Sequence, residues 1–317
     1  MNKTPLTTYV ILAFMPLFFS TNIVFGRVAV ASVEPWTLAF IRWFSCALIL
    51  MPFVAPGIAQ HMDVLKKQWK RLLLLGFLGM WICGALVYLA LKYTTATNGT
   101  LIYTSSPVLI IFLEWLFRGR KVGLREFIGI TIAMLGVLVI IFRGSLDVLL
   151  SLDFNTGDLL FILTALSWSI YSVLLKSSAL DTVPTITLFA AIAFMGAVTL
   201  APFTIIEIVV QNAFPTQLSS WINIAGIVLF ASLIAFSAFQ HGVKTAGAPI
   251  AGIFMYLLPV YGVGMAVMFL GEKFELYHLA GILTVSGGVI VATMPASLFD
   301  KIQAYKKRLG INHMRKE

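Results

Sequence analysis

One stretch of this chain occurs twice. From Lys92 to Val139 it runs KYTTATNGTLIYTSSPVLIIFLEWLFRGRKVGLREFIGITIAMLGVLV. At an offset of 152 positions, from Lys244, it meets KTAGAPIAGIFMYLLPVYGVGMAVMFLGEKFELYHLAGILTVSGGVIV without a gap. The aligned pairs include Lys92/Lys244, Ala96/Ala248, Pro107/Pro259, Phe117/Phe269, Gly119/Gly271, Lys121/Lys273, Gly129/Gly281 and Gly136/Gly288. Shared hydrophobicity pairs Leu with Ile by accident, but it does not align lysines, prolines and glycines at one constant offset. The chain is therefore a duplicated unit, and each copy must fold against the other.

The unit is not water-soluble. Of the 317 residues, 60% are hydrophobic and 11% charged, against about 25% charged in a soluble domain. Apolar runs of about 20 residues, the length that crosses a hydrocarbon layer of about 30 Å, recur from one end to the other. A membrane barrel would alternate polar and apolar residues, and these runs do not. The fold class is all-α integral membrane protein. Ten spans are expected, at 8–30, 35–54, 72–91, 96–117 and 124–141, then 157–175, 186–210, 221–242, 248–270 and 276–293. The N-terminal run is too long for a signal peptide and has its own counterpart in the second unit, so it counts as the first helix. Cys46 and Cys83 lie inside apolar runs and read as small core residues, and no CxxC or HExxH arrangement is present. No cofactor and no metal are expected.

Lys and Arg accumulate on the cytoplasmic side of short loops. With the N-terminus inside, 17 of the 22 fall there, leaving Arg27, Arg42, Lys92, Arg143 and Lys273. Both termini are then cytoplasmic, and the net charge of +9 is a topology signal rather than a nucleic-acid footprint. Five spans per unit is an odd number, so the second unit inserts upside down, which places Lys121 inside and Lys273 outside. The expected division is residues 1–143 for the first five-helix repeat, 144–156 for a periplasmic linker, 157–294 for the inverted second repeat, and 295–317 for a basic cytoplasmic tail. Leu298, Ile302, Tyr305 and Leu309 sit at helical spacing in that tail, which reads either as a helix on the anionic inner leaflet or as a disordered segment. Asn98-Gly-Thr fits a glycosylation sequon in a very short loop. The partners expected are a small-molecule substrate and membrane lipids, with the protein a monomer or a homodimer.

Several motifs give the chain a family likeness over about residues 8–294. They are the polar break Ser20–Asn22, TLAFIRW at 37–43, ALSWS at 165–169, and LGEK at 270–273 followed by HLAGILTVSGGVIV. With ten spans in two halves, the chain resembles the EamA-type branch of the drug/metabolite transporter superfamily. Phe19 stands where such families usually carry Trp. The resemblance implies a bacterial inner-membrane exporter of amino acids or related metabolites. A carrier of a nucleobase, a drug-like cation or a sugar derivative on the same fold remains the alternative, as does a non-transporting scaffold.

Interior spans hold almost no ionisable residues, which speaks against a deep proton relay and against a membrane-embedded hydrolase, so an enzyme is not expected. Glu114 and Glu207 lie near span ends, where side chains reach the interface. Arg42 lies roughly 10 Å into the second helix at 1.5 Å per residue. It either reaches outward to the interface or faces a cavity, where it would hold a carboxylate. Pro107 and Pro259 fall close to the bilayer centre and read as gating bends or as fixed packing kinks. Helical spacing proposes a lining of Trp81 and Tyr88 (with Gly84 and Ala85 on the same stripe), Thr100 and Tyr103, Trp168, Tyr171 and Ser172, Gln240 beside Phe236 and Phe239, and Met255 and Tyr256. An offset of 149 sets Phe19, Asn22 and Ile23 opposite the sixth-helix group, and Tyr88 matches Gln240 at 152. Aromatic walls with a few amides and hydroxyls suit a mid-sized amphiphilic ligand. Asn22, Tyr103, Tyr171 and Gln240 head that set, because an unpaired amide in hydrocarbon costs several kcal/mol. Tyr9, Trp36, Trp69 and Trp221 are expected in interfacial belts.

Overall fold

The computed structural model describes residues 4–94, 99, 102–142, 155–270 and 273–294. The linker over 143–154, Asn98 and Thr100 of the sequon, and the tail lie outside the described residues, as do the side chains of Ile23 and Arg27. Among the described residues the regular elements are all helical, with no strand. In chain order they are α1 (Leu6–Ala29), α2 (Pro35–Gln60), α3 (Trp69–Ala90), α4 (Ser106–Arg118), α5 (Leu124–Ile141), α6 (Thr156–Leu175), α7 (Thr185–Gln211), α8 (Leu218–Ala246), α9 (Ala248–Phe269) and α10 (Leu276–Thr293). Eight of them, α2, α3 and α5 to α10, are long and apolar enough to cross a membrane. α1 carries a shorter apolar stretch, Leu6–Asn22, and α4 is described over 13 residues.

The α2–α3 connection and the helix type inside α3 and α8 differ from the sequence reading. α2 runs past Pro52 and Pro56 to Gln60, and a further six-residue helix, Met62–Lys67, fills most of the expected loop. The two prolines are four residues apart, so the N–H groups they remove lie on one face and the other faces keep their ladder. Inside α3 and α8 the backbone is π-helical, over Phe77–Leu86 and Ile227–Ile234. This i→i+5 pairing is rarely seen over more than a single turn.

The helices pack reciprocally. α1 lies on α8 and α9, α6 lies on α3 and α4, α2 runs along α7, α5 along α10, and α4 meets α9. The α5–α10 crossing brings two backbones together through the repeated glycines. A Cβ built on Gly288 would meet the backbone of Ala133 and, at 2.6 Å, the carbonyl of Gly129. One on Gly136 would stand 2.6 Å from the Val285 nitrogen, and Gly129 faces the backbone of Ala292. In lipid there is no hydrophobic drive between helices, so close approach through small residues supplies the association.

Helix ends are satisfied by side chains. Asn155 caps α6, accepting from the Gly157 nitrogen at 2.8 Å, while Asp158 accepts from the Asn155 nitrogen at 2.9 Å. At the other end of α6, Arg118 donates to the Val173 and Lys176 carbonyls and Arg71 to that of Leu174, so cations meet the negative pole of the helix. Gly119, at φ 63°, closes α4 in the left-handed conformation that L side chains resist. Glu207 and Glu114 are both buried rather than directed to the interface. Glu207 accepts from the Thr37 nitrogen at 2.7 Å and the Thr37 hydroxyl at 2.9 Å, capping α2 from α7, and Glu114 pairs with Arg118 at 2.6 Å. The reason is that a helix N-terminus and a neighbouring guanidinium stabilise these carboxylates more than the interface does.

The tight crossing gives a direct test. Gly288→Val should destabilise the protein by about 1–3 kcal/mol through overpacking, read as a lower thermal midpoint in detergent. Gly264→Val should leave the midpoint unchanged, because nothing lies within 4 Å of its Cβ position.

Candidate functional site

Both repeated prolines sit at helix breaks rather than at bends in continuous helix. The α4 helix restarts at Ser106 after a turn at Thr104–Ser105, with Pro107 in its first turn. In α9, the segment Ala248–Phe254 passes through a 3-10 turn, Met255–Leu257, and resumes at Leu258 just ahead of Pro259. Proline has no N–H for the carbonyl four residues back. That carbonyl is Tyr103 for Pro107, and the Ser106 hydroxyl donates to it at 2.7 Å. For Pro259 it is Met255, which accepts from the Leu258 nitrogen in the tight turn. The two breaks cross each other, with Gly252 set 3.7 Å (from its Cβ position) from the Pro107 Cα.

On one side of these breaks runs a polar chain centred on Arg42, which is 4% exposed. Its Nε donates to Ser232 Oγ at 2.6 Å, one terminal nitrogen to the Tyr88 hydroxyl at 3.0 Å, and the other to the Ala231 carbonyl at 3.3 Å. The Tyr88 hydroxyl passes its own hydrogen to Asn22 Oδ1 at 3.0 Å. The guanidinium carbon also lies 4.5 Å from the Trp43 ring centroid and 5.8 Å from that of Phe236, within cation–π reach. Among the described residues no carboxylate pairs with it. Ala231 and Ser232 belong to the π-helical stretch of α8, whose irregular ladder presents a carbonyl and a hydroxyl to the cation. The Ser232 hydroxyl itself donates five residues back, to Ile227, at 3.1 Å.

Phe236 joins this chain to an aromatic hub. Its ring lies 5.2 Å from Phe19, 5.5 Å from Trp168 and 4.7 Å from Trp43. Trp168 further meets Phe239 at 4.6 Å, Tyr171 at 5.4 Å and Tyr103 at 6.4 Å. Beyond the hub lies a second polar pair, with Gln240 Nε2 donating to the Tyr171 hydroxyl at 3.1 Å. At the repeat offsets Tyr88 corresponds to Gln240 and Asn22 to Tyr171, so this pair is the counterpart of Asn22–Tyr88. The guanidinium has no counterpart, because Ala191 stands at the matching place in α7. Four buried polar atoms here lack a partner: the Trp43 and Trp168 indole nitrogens, the Tyr256 hydroxyl and Gln240 Oε1. A narrow cavity between the broken helices is lined by Tyr103, Thr104, Ser106, Pro107, Ile110, Trp168, Met255 and Leu258. A second, lined by Lys176, Asp181, Thr185, Gln240 and Lys244 among others, opens at the far end of α6.

The structure thus brings together Asn22, Arg42 and Tyr88 at one end, Tyr171 and Gln240 at the other, and Tyr103, Trp168, Met255 and Pro107 between them. Tyr256 is fully buried beside Met255. Trp81 stands apart. It packs with Trp36, Phe77 and Phe203 at centroid distances of 6.0, 5.2 and 5.1 Å. The π-helical run from Phe77 to Leu86 carries more residues per turn than an α-helix, so Trp81 and Tyr88 do not keep the common stripe that α-helical spacing assigns them. Trp36, expected at an interface, is half-buried against Trp81 and Phe203, whereas Trp69 and Trp221 are exposed. Sequence reading missed Ser232, Trp43 and Phe189, whose ring lies 6.4 Å from Trp43 and 6.1 Å from Phe236. A lone hydroxyl in the apolar run IVLFASLIAF was the signal available for Ser232.

Among the described residues no group of three His, Cys, Asp or Glu is arranged to hold a metal. Residues 6–142 and 155–294 each match the EamA-like transporter family. An uncharacterized transporter YyaM of Bacillus subtilis is 25% identical over 91% of this chain and 94% of its own length. An uncharacterized transporter of Archaeoglobus fulgidus is 26% identical over 88% of this chain and 95% of its own. An uncharacterized inner membrane transporter YedA of Escherichia coli is 23% identical over 90% and 93%. A solved crystal structure aligns with a TM-score of 0.72 at 20% identity, covering 91% of this chain and 97% of that one. A bundle of apolar helices with these relatives is a multi-pass membrane transporter. It belongs to the EamA-like transporter family.

Arg42→Lys keeps the charge but not the three-way geometry, so it should cost about 1–3 kcal/mol by leaving buried polar groups unpaired. Tyr171→Phe, which strips Gln240 of its one bonded partner, should cost a similar about 1–3 kcal/mol. Both are read from thermal midpoints in detergent, with Phe14→Leu on the exposed outer surface as the neutral control.

Proposed function

We propose that this protein is a secondary transporter that exports small metabolites, amino acids foremost, across the bacterial inner membrane by alternating access. In this reading it has ten spans in two inverted five-helix halves, residues 1–143 and 157–294, with both termini cytoplasmic and a basic tail at the inner leaflet. The substrate sits at the interface of the halves, near mid-depth, where such repeats meet. Support for two halves comes from the double family match, the twin π-helical runs and the reciprocal packing of α1 on α8 and α6 on α3.

The observation that carries the substrate class is Arg42. A buried cation held only by neutral acceptors and aromatic faces is an incomplete ion pair, and a carboxylate on the substrate completes it. The aromatic hub next to it suits an apolar body. Gln240 Oε1, an acceptor without a donor, suits an ammonium group at the other end. A zwitterion matches all three, and a multiply charged phosphate ester, which calls for several cations, does not.

Uptake of a labelled amino-acid panel into proteoliposomes tests this. Saturable flux should fall by about tenfold or more in Arg42→Gln, Asn22→Ala, Tyr103→Ala and Gln240→Ala, the loss expected for about 1.4 kcal/mol or more of substrate interaction. An unlabelled amino acid should compete, and the amine left by removing its carboxyl should not. Competition by nucleobases or drug-like cations, with none by amino acids, would instead favour the alternative substrate class.

A further inference from the structure

Two serines occupy equivalent places against the two helix breaks. Ser20, on α1, donates to the Leu258 carbonyl at 3.1 Å, immediately ahead of Pro259 in α9. Ser169, on α6, donates to the Ser106 carbonyl at 3.2 Å, immediately ahead of Pro107 in α4. The serines are 149 positions apart and the carbonyls 152, the offsets of their respective helices. Each bond therefore ties the first helix of one half to the broken helix of the other. Both serines are 0% exposed, so neither hydroxyl has water to turn to.

Each hydroxyl has a second acceptor. Ser20 Oγ lies 2.8 Å from the Pro16 carbonyl and Ser169 Oγ lies 2.7 Å from that of Ala165, both four residues back in their own helices. A serine has one hydrogen to give. When helices part, the hydroxyl keeps the bond inside its own helix, and the carbonyl it leaves is still within a helical ladder. Release strands no donor in hydrocarbon, where an unsatisfied group is costly. A contact with this property holds a closed state and lets it go at small cost, unlike a salt bridge or a side-chain amide pair.

We infer that Ser20 and Ser169 are paired positioning residues that set the balance between the two access states, each clasping the break of the opposite half. The inference rests on the alternating-access reading above. Because the clasps are related by the same repeat that inverts the halves, loosening one favours opening to one side and loosening the other favours opening to the opposite side. Neither serine faces the substrate cavity, so neither contributes to recognition.

The test uses reporter cysteines at Val33 and Val183, both buried at the turns that end α1 and follow α6, in a background carrying Cys46→Ala and Cys83→Ser. In proteoliposomes, alkylation rates are measured from each side, with and without amino acid. Ser20→Ala and Ser169→Ala should shift the Val33→Cys and Val183→Cys rates in opposite senses, each by roughly two- to tenfold, the equivalent of one hydrogen bond. The double variant should return towards the parent. Shifts in the same sense, or rates equal to the parent in both single variants, overturn the inference. A merely structural role would raise both reporters together. If substrate fails to exchange the accessibility of the two reporters in the parent itself, alternating access is what has failed, and the clasps fail with it.

Discussion

A backbone carbonyl inside a bilayer has no water to bond, and that constraint shapes this molecule more than any single contact. A continuous helix meets it, and the matching need of its N–H groups, without help, so every departure from one needs a donor or an acceptor close by. The departures here are several: two proline breaks, two long π-helical runs and a buried helix start at Pro35. The Pro259 break is met by its own backbone, the Leu258 nitrogen bonding Met255, and the others draw on side chains. Ser106 serves the Tyr103 carbonyl, Ser167 donates to Leu78 at 3.0 Å in one π run, Arg42 serves Ala231 in the other, and Glu207 takes the free N–H groups of α2. The polar residues of the interior are thus concentrated where the backbone is irregular, and these are also the places where the helices of the two halves meet.

Around that irregular centre the remaining packing is regular and tight. The α5–α10 crossing, held by glycines on both helices, allows the backbones little independent movement. The α3–α7 approach is similar, with Gly76 and Gly196 against each other. By contrast α4 and α9 are broken, and their breaks border the cavity at Tyr103, Pro107, Met255 and Leu258. Rigid crossings at the periphery and interrupted helices at the middle divide the molecule into parts that keep their shape and parts that have somewhere to go.

Much of this was legible in the residue order. The duplicated lysines, prolines and glycines identify the repeat, and the repeat offsets match Tyr88 with Gln240 and Asn22 with Tyr171 from spacing alone. Those matches survive because an offset between copies does not depend on how many residues make a turn. The grouping of Trp81 with Tyr88 depended on that number, and it failed where α3 becomes π-helical. The burial of Glu207 and Glu114 was hidden for a different reason. Position near a span end says how far a carboxylate is from water, but the N–H groups it caps lie across the bundle, on α2. Ser232 gave almost no sign, because its role follows from a backbone irregularity that its neighbours in sequence do not announce.

The duplication has also drifted in charge. Arg42 has Ala191 as its counterpart, so the two copies share an outline but not a charge. In the proposed inverted arrangement, a molecule with its halves exchanged in order would rebuild the same bundle and carry its guanidinium to the opposite compartment. The order of the two copies thus decides from which side the guanidinium is approached, while the outline around it stays the same.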